Sequence, residues 1–336
     1  MKAVVCEAPS ALGIAEKPVP VRRSGETLIR ISRVGLCGTD YHIFTGNQPF
    51  LEYPRIMGHE LAGTVAEADP DSLFKAGQLV TINPYLPCGQ CIACRKAKPN
   101  CCVHIKVLGV HTDGGMTEFI SVPTHAVIPV DGLTPDQAAM VEFLSIGAHA
   151  VRRAQIQPQE RVLIVGAGPI GVAAGLFARM AGALITLIDT SADRLEYARS
   201  RLGFDDTLDV DETLKASLEA RTDGDYFDVV FDATGSARAI ENGFQFVAHG
   251  GRYVLISVVK DSIRFSDPEF HKREMQLIGS RNATHEDFAQ VIKAIRDGDI
   301  PTDALKTHTF PLMETPVKIK ELIAHQGHVL KAIATL

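Results

Sequence analysis

Cys88, Cys91, Cys94 and Cys102 follow the spacing C-x2-C-x2-C-x7-C, and Cys37, His59 and Glu60 form a second set of ligand-type side chains. Four thiolates close the tetrahedron around zinc and leave no place for substrate, whereas cysteine, histidine and carboxylate together leave a coordination position open. The first set is therefore expected to hold a structural zinc ion and the second a catalytic one. Taken singly, the members of the second set read as a buried thiol, a satisfied histidine and a surface carboxylate. Their settings beside glycine turns, Gly35-Leu36-Cys37-Gly38-Thr39-Asp40 and Gly58-His59-Glu60, favour ligation. In the four-cysteine loop the metal would replace a core that the loop has too few apolar residues to build.

A second chemistry is written further along. Val162-Leu163-Ile164-Val165 runs into Gly166-Ala167-Gly168-Pro169-Ile170-Gly171 and an apolar helical stretch, the strand–turn–helix context of a dinucleotide fingerprint. The glycines permit the tight turn and let the backbone approach a pyrophosphate, which the helix N-terminus then stabilises. Asp189 ends the next strand; it can accept hydrogen bonds from an adenosine ribose and would repel a 2′-phosphate, so NAD is expected over NADP. A helix cap or turn residue is its plainer role. Arg194 reads either as a solvated first-turn residue or as a cation stacked on adenine.

These residues need elements to place them. The 336-residue chain exceeds the size at which one hydrophobic core stops growing, so two domains are expected. Residues 1 to about 145 carry short β-branched runs broken by Gly and Pro. From Arg161 the pattern alternates strand and helix, with further strands read at Ala183 to Ile188, Phe227 to Asp232 and Arg252 to Val258. That is an α/β domain with a parallel, doubly wound sheet. Thr284 and Asp287 form a capping box before Phe288, Val291, Ile292 and Ile295 at helical spacing, after which a short β-like tail is expected.

The composition excludes other classes. A net charge of −6 with interspersed signs offers neither a basic stripe for nucleic acid nor a polybasic membrane patch, so the expected partner is a small molecule. Residues 162 to 178 lack charge, but their glycines argue for a turn motif over a membrane span. The N-terminus reads as a strand and not as a signal peptide. Seven cysteines in CxxC-type clusters point to metal thiolates in a reducing compartment, hence the cytoplasm. Cys6 and Cys101 are left over, as a buried small hydrophobe and a spare neighbour.

The two ligand motifs, Asp113-Gly114-Gly115, the four-cysteine loop and the fingerprint together resemble the zinc-dependent medium-chain dehydrogenases, in their polyol and sugar-acid branch, over essentially the whole chain. The resemblance implies a GroES-like catalytic domain made from both ends of the chain (1–147 and 282–336) with a Rossmann NAD-binding domain (148–281) inserted, an active site in the cleft, and a homodimer or homotetramer. It implies that Cys37, His59 and Glu60 ligate catalytic zinc, with Glu142 near or intermittently on the metal. The family usually has proline after that glutamate, and this chain has Phe143. Because a thiolate and one carboxylate already neutralise the dication, Glu142 is better placed as the partner of a zinc-held water. The implied reaction is oxidation of a secondary alcohol activated by zinc, with hydride passing to nicotinamide. Thr39 matches the position that hydrogen-bonds the substrate hydroxyl, and His42 one that passes the proton to solvent, although a histidine there also reads as an ordinary loop residue. Ala233-Thr234-Gly235 and Ser257 match places that hold the cofactor's ribose and carboxamide.

Zinc and NAD define the chemistry but not the alcohol. A sugar acid needs a cation for its carboxylate, and Arg281 and Lys272 are candidates, with His111 assisting; a cofactor-phosphate contact or a plain surface charge is the alternative for each. The stretches Phe265 to Lys272, Ser280 to Thr284 and Gly46 to Phe50 look like those of bacterial hexonate 5-dehydrogenases, which oxidise L-galactonate or L-gulonate at C5 to a keto-uronate. Sorbitol-type polyol dehydrogenases and threonine dehydrogenases are the alternative substrate classes, and a non-catalytic cofactor-binding sensor is the alternative of another kind.

Overall fold

A computed structural model of the chain describes residues 1–48 and 51–336. Pro49 and Phe50, which end the Gly46 to Phe50 stretch singled out above, lie outside the described residues. The chain divides into two compact units, one made of Met1–Phe143 with Thr284–Leu336 and the other of Leu144–Ala283.

The first unit is built on a seven-stranded sheet with the order Val127–Pro129, Leu79–Ile82, Glu60–Glu67, Glu26–Leu36, Lys331–Thr335, Lys306–Pro311, while Phe119–Pro123 also pairs with Glu26–Leu36. In the long central strand Ile29 and Ile31 are buried on either side of exposed Arg30, and a register irregularity between Ile31 and Arg33 shifts the phase so that Val34 is buried as well. Met57, Leu61, Val65, Val80, Ile82 and Ala332 join them in one apolar core. The last 53 residues hold more than the expected helix and β-like tail. The capped helix His285–Asp297 is present, but a second helix, Thr315–Ala324, carries the chain between the parallel strands Lys306–Pro311 and Lys331–Thr335. Parallel neighbours need such a crossover.

The second unit holds a six-stranded, wholly parallel sheet in the order Thr207–Asp209, Leu184–Asp189, Arg161–Val165, Phe227–Asp232, Val247–Leu255, Gln276–Gly279. Counted along the chain this is 3-2-1-4-5-6, the doubly wound order, with its switch between the first and fourth strands. Val162, Leu163, Ile164, Val229, Val230 and Phe231 are buried, as strands covered on both faces must be. The fifth strand runs from Val247 to Leu255, where the sequence suggested Arg252 to Val258. Pairing already begins at Phe227 opposite Val247, and Gly250, at φ +78°, keeps the strand running through an irregularity that sequence reads as a break.

Candidate metal centre and cofactor site

In the first unit, Cys37 directly follows the strand Glu26–Leu36 and caps the short helix Gly38–Phe44. Gly35 is therefore part of a strand and not of a turn; Gly58, at φ +90°, lies in the short connection between the strands Arg55–Ile56 and Glu60–Glu67. His59 follows it, and Glu60 opens the next strand. The ligand atoms of Cys37, His59 and Glu60 all lie within 4.8 Å of one another. Asp40, fully buried, ties the two ligand segments together: its carboxylate accepts the Cys37 N–H at 2.9 Å and the Gly58 N–H at 3.3 Å.

The donor set fits a dication. His59 Nδ1 is buried without a hydrogen-bond partner. Burial opposes charge on the His59 ring, yet the hydrogen bond and charge of Cys37 outweigh it and hold the ring's pKa well above 6.5. This is a nest of anionic donors that calls for positive charge, which a metal supplies in exchange for the proton. Among the described residues Glu142 stands outside the three-residue group. It is buried, it accepts the hydroxyl of Tyr85, and desolvation pushes its carboxyl up to about 6 with the Glu60 charge assisting. Glu60 itself is paired with the buried Lys331. Neither Tyr85 nor Lys331 was anticipated; the one available signal was a lone lysine in the apolar run Val329 to Ala334. Thr39 and His42 lie on the Gly38–Phe44 helix and not on a loop, Thr39 partly buried and His42 exposed.

Cys88, Cys91, Cys94 and Cys102 also converge within 4.8 Å. Cys91 Sγ accepts the Val103 N–H at 3.4 Å, and such backbone donors lower its thiol to about 6, favouring the thiolate that a metal needs. The aliphatic residues of this loop do not form a core: Ile92 and Val103 are 56% and 64% exposed. All seven cysteines are free of disulfides, Cys6 buried and Cys101 exposed.

In the second unit the fingerprint turn is held from both neighbouring strands. Ala167 N–H donates to Asp189 Oδ2 at 2.6 Å, and Ala233 N–H donates to Val165 O at 2.9 Å. Gly168 caps the helix Pro169–Met180, whose first residues include Ile170, and a Cβ on Gly171 would lie 1.8 Å from Gly166 O. Asp189 also accepts the Ser191 N–H at 2.8 Å, so it is both a turn residue and a buried carboxylate at the strand end. Arg194 packs on it, with Nη1 at 3.8 Å from Oδ2. Ala233, Thr234 and Gly235 adjoin the turn, and Ser257 sits 4.0 Å from the position a Gly235 Cβ would take. Asp232, fully buried, anchors this segment by accepting from the Thr234 N–H and hydroxyl at 3.1 and 3.0 Å.

The substrate candidates are more dispersed. Lys272 is exposed at the end of the helix Asp267–Lys272 and pairs with Glu269 at 3.8 Å. Arg281 is exposed beyond the last parallel strand. His111 is partly buried in the first unit and its Nδ1 accepts the Val107 N–H at 3.1 Å.

Residues 23–132 match the model of the alcohol dehydrogenase GroES-like domain, and residues 169–297 that of the zinc-binding dehydrogenase domain. The chain is 41% identical over 336 residues to L-galactonate-5-dehydrogenase of Escherichia coli strain K12, spanning 100% of this chain and 99% of that one. It is 33% identical over 310 residues to D-altritol 5-dehydrogenase of Agrobacterium fabrum, 90% of each. A crystal structure of the alcohol dehydrogenase RspB from Escherichia coli CFT073, complexed with NADH, superposes with a TM-score of 0.94 at 28% identity, covering 100% of this chain and 99% of that one. The chain belongs to the zinc-dependent medium-chain alcohol dehydrogenase family, with a GroES-like and a Rossmann-like domain. It is an NAD-dependent dehydrogenase of the polyol and sugar-acid type that acts on a small molecule with zinc as its metal.

Proposed function

We propose that the chain oxidises the C5 hydroxyl of a hexonate, L-galactonate or L-gulonate, to the corresponding keto-uronate. The observation that carries this reading is the 41% identity to L-galactonate-5-dehydrogenase along the whole chain.

In this reading Cys37, His59 and Glu60 hold the catalytic zinc, and Cys88, Cys91, Cys94 and Cys102 hold the structural one. When bound, zinc would supply Lewis acidity toward the substrate hydroxyl and NAD would supply the hydride acceptor. The chain's own residues do the rest. Thr39 hydrogen-bonds the substrate hydroxyl and orients its oxygen, and exposed His42 passes the released proton to solvent. Glu142, fixed by Tyr85, hydrogen-bonds water beside the metal site. Gly166, Gly168, Pro169, Ile170 and Gly171 present backbone to the pyrophosphate, Asp189 and Arg194 take the adenosine end, and Ala233, Thr234, Gly235 and Ser257 flank the nicotinamide ribose. Arg281 is the preferred carboxylate partner; the exposed, Glu269-paired Lys272 and His111 are secondary. The assembly is a homodimer or homotetramer in the cytoplasm, a reading supported by the exposed edge strand Gln276–Gly279, with Leu277 42% exposed, and by seven unbridged cysteines.

The test is initial-rate NAD reduction by the zinc-loaded protein with L-galactonate, L-gulonate, D-mannonate, sorbitol, galactitol and L-threonine, with NADP as control. Turnover confined to one or two hexonates, lost selectively in R281A, is the expected result. Turnover of sorbitol, galactitol or threonine alone would overturn the sugar-acid reading while leaving the dehydrogenase intact.

A further inference from the structure

The strands Glu26–Leu36, Glu60–Glu67 and Lys331–Thr335 lie side by side, with Gly35 opposite Glu60 in one ladder and opposite Ile333 in the other. In this register the Lys331 ammonium donates to Glu60 Oε1 and Oε2 at 2.7 and 2.6 Å and to the Leu36 carbonyl at 3.2 Å. The ring of Phe143 faces the same ammonium, its centroid 4.2 Å from Nζ. Glu60, Lys331 and Phe143 are 0%, 1% and 1% exposed.

Burying an ammonium costs several kcal/mol unless its donors and its charge are satisfied. Here three polar contacts and one aromatic face satisfy it. Gly35 makes the space: a Cβ there would lie 2.1 Å from Glu60 Oε2. The same Glu60 carboxylate lies within 4.8 Å of the donor atoms of Cys37 and His59, so a metal at that cluster and Lys331 share one carboxylate. A thiolate and a carboxylate together cancel a dication, and the buried carboxylates of Asp40 and Glu142 stand beside the same cluster, so the fixed ammonium competes directly with the metal for the charge of Glu60.

We propose that Lys331, pinned by the Phe143 ring, is a positioning residue that draws Glu60 away from the metal, loosening the metal's hold and keeping it electrophilic toward the substrate oxygen. The proposal rests on the reading of Cys37, His59 and Glu60 as ligands. It gives a role to Phe143, at the position where the resemblance leads one to expect proline.

The test compares the parent with F143L, K331M and C37S, each purified with zinc. Zinc content is measured by mass spectrometry, release from the Cys37 site by a chromogenic chelator, and ligand field by the visible spectrum of the cobalt-substituted protein. Without the competing ammonium, K331M should release that zinc about tenfold or more slowly, with displaced cobalt bands. F143L keeps the lysine and an apolar side chain but loses the aromatic face, and should slow release about threefold. Packing damage alone would act in the opposite direction. Unchanged or faster release from F143L overturns the proposal, and F143L decides the matter if K331M does not fold. If C37S retains the parent's full zinc content, the ligand reading itself fails; if C37S loses one equivalent while F143L behaves as the parent, only the proposal for Lys331 and Phe143 is rejected.

Discussion

The carboxylate of Asp189 accepts the backbone N–H of Ala167 at 2.6 Å, so the residue that ends the second strand of the parallel sheet also holds the glycine turn made after the first. Hydrogen bonds to charged groups contribute about 1.5–3 kcal/mol. D189A should therefore raise the KM for NAD by about tenfold or more and lower thermal stability as well. With Arg194 left unopposed by its carboxylate, the preference for NAD over NADP should shrink. The ratio of kcat/KM for the two cofactors measures this, and an unchanged ratio would show that Asp189 does not face the ribose.

Asp232 makes a prediction about pH. Burial pushes its carboxyl up from 3.8 to about 6, against the two hydrogen bonds from Thr234. The folded state thus holds the proton more tightly than the unfolded chain. The resulting stability is fully present below pH 3.8 and is lost as pH rises through about 6, a swing of roughly 3 kcal/mol. D232N removes the ionisation, so its stability relative to the parent should improve from about pH 5 to about pH 8. Urea titrations at both pH values test this, and a constant difference between the two proteins would contradict it.

Gly35 admits no side chain, because its Cβ would meet Glu60 Oε2 at 2.1 Å. G35A should displace the carboxylate and cost about 1–3 kcal/mol of stability through overpacking. It should also lower the affinity of the Cys37 site for zinc, leaving the four-cysteine site filled. Zinc content after dialysis against a weak chelator separates the two sites.

The four-cysteine loop exposes Ile92 and gathers four thiols within 4.8 Å, so a metal held there would supply the cohesion that an apolar core does not. C94S should lose about one zinc equivalent per chain, since three thiolates no longer close the tetrahedron. Limited proteolysis should then cut between residues 88 and 102 first. Retention of zinc with a protease-resistant loop would refute the assignment.

Much of this was legible because the relevant residues are close in sequence. Four cysteines, a glycine fingerprint after an apolar strand, and a Thr284–Asp287 capping box each declare themselves within about fifteen residues, and the capping box is present as read. Asp40 stood in a motif without a role, because its partner Gly58 lies eighteen residues away. Tyr85 meets Glu142 across fifty-seven positions, and Lys331 meets Glu60 across 271. No local periodicity reports such encounters.

The sequence by itself determined the family, the two kinds of ligand set and the α/β alternation of the dinucleotide-binding half, because these depend on residue type and short spacing. Tertiary structure alone decided how charge is balanced around those residues. Strands from positions 26–36, 60–67 and 331–335 must be laid side by side before a buried ammonium can meet a buried carboxylate over a glycine. Only folding removes the water that would otherwise satisfy Lys331, Asp40, Glu142 and Asp232 separately, and so obliges each of them to find its partner in the protein.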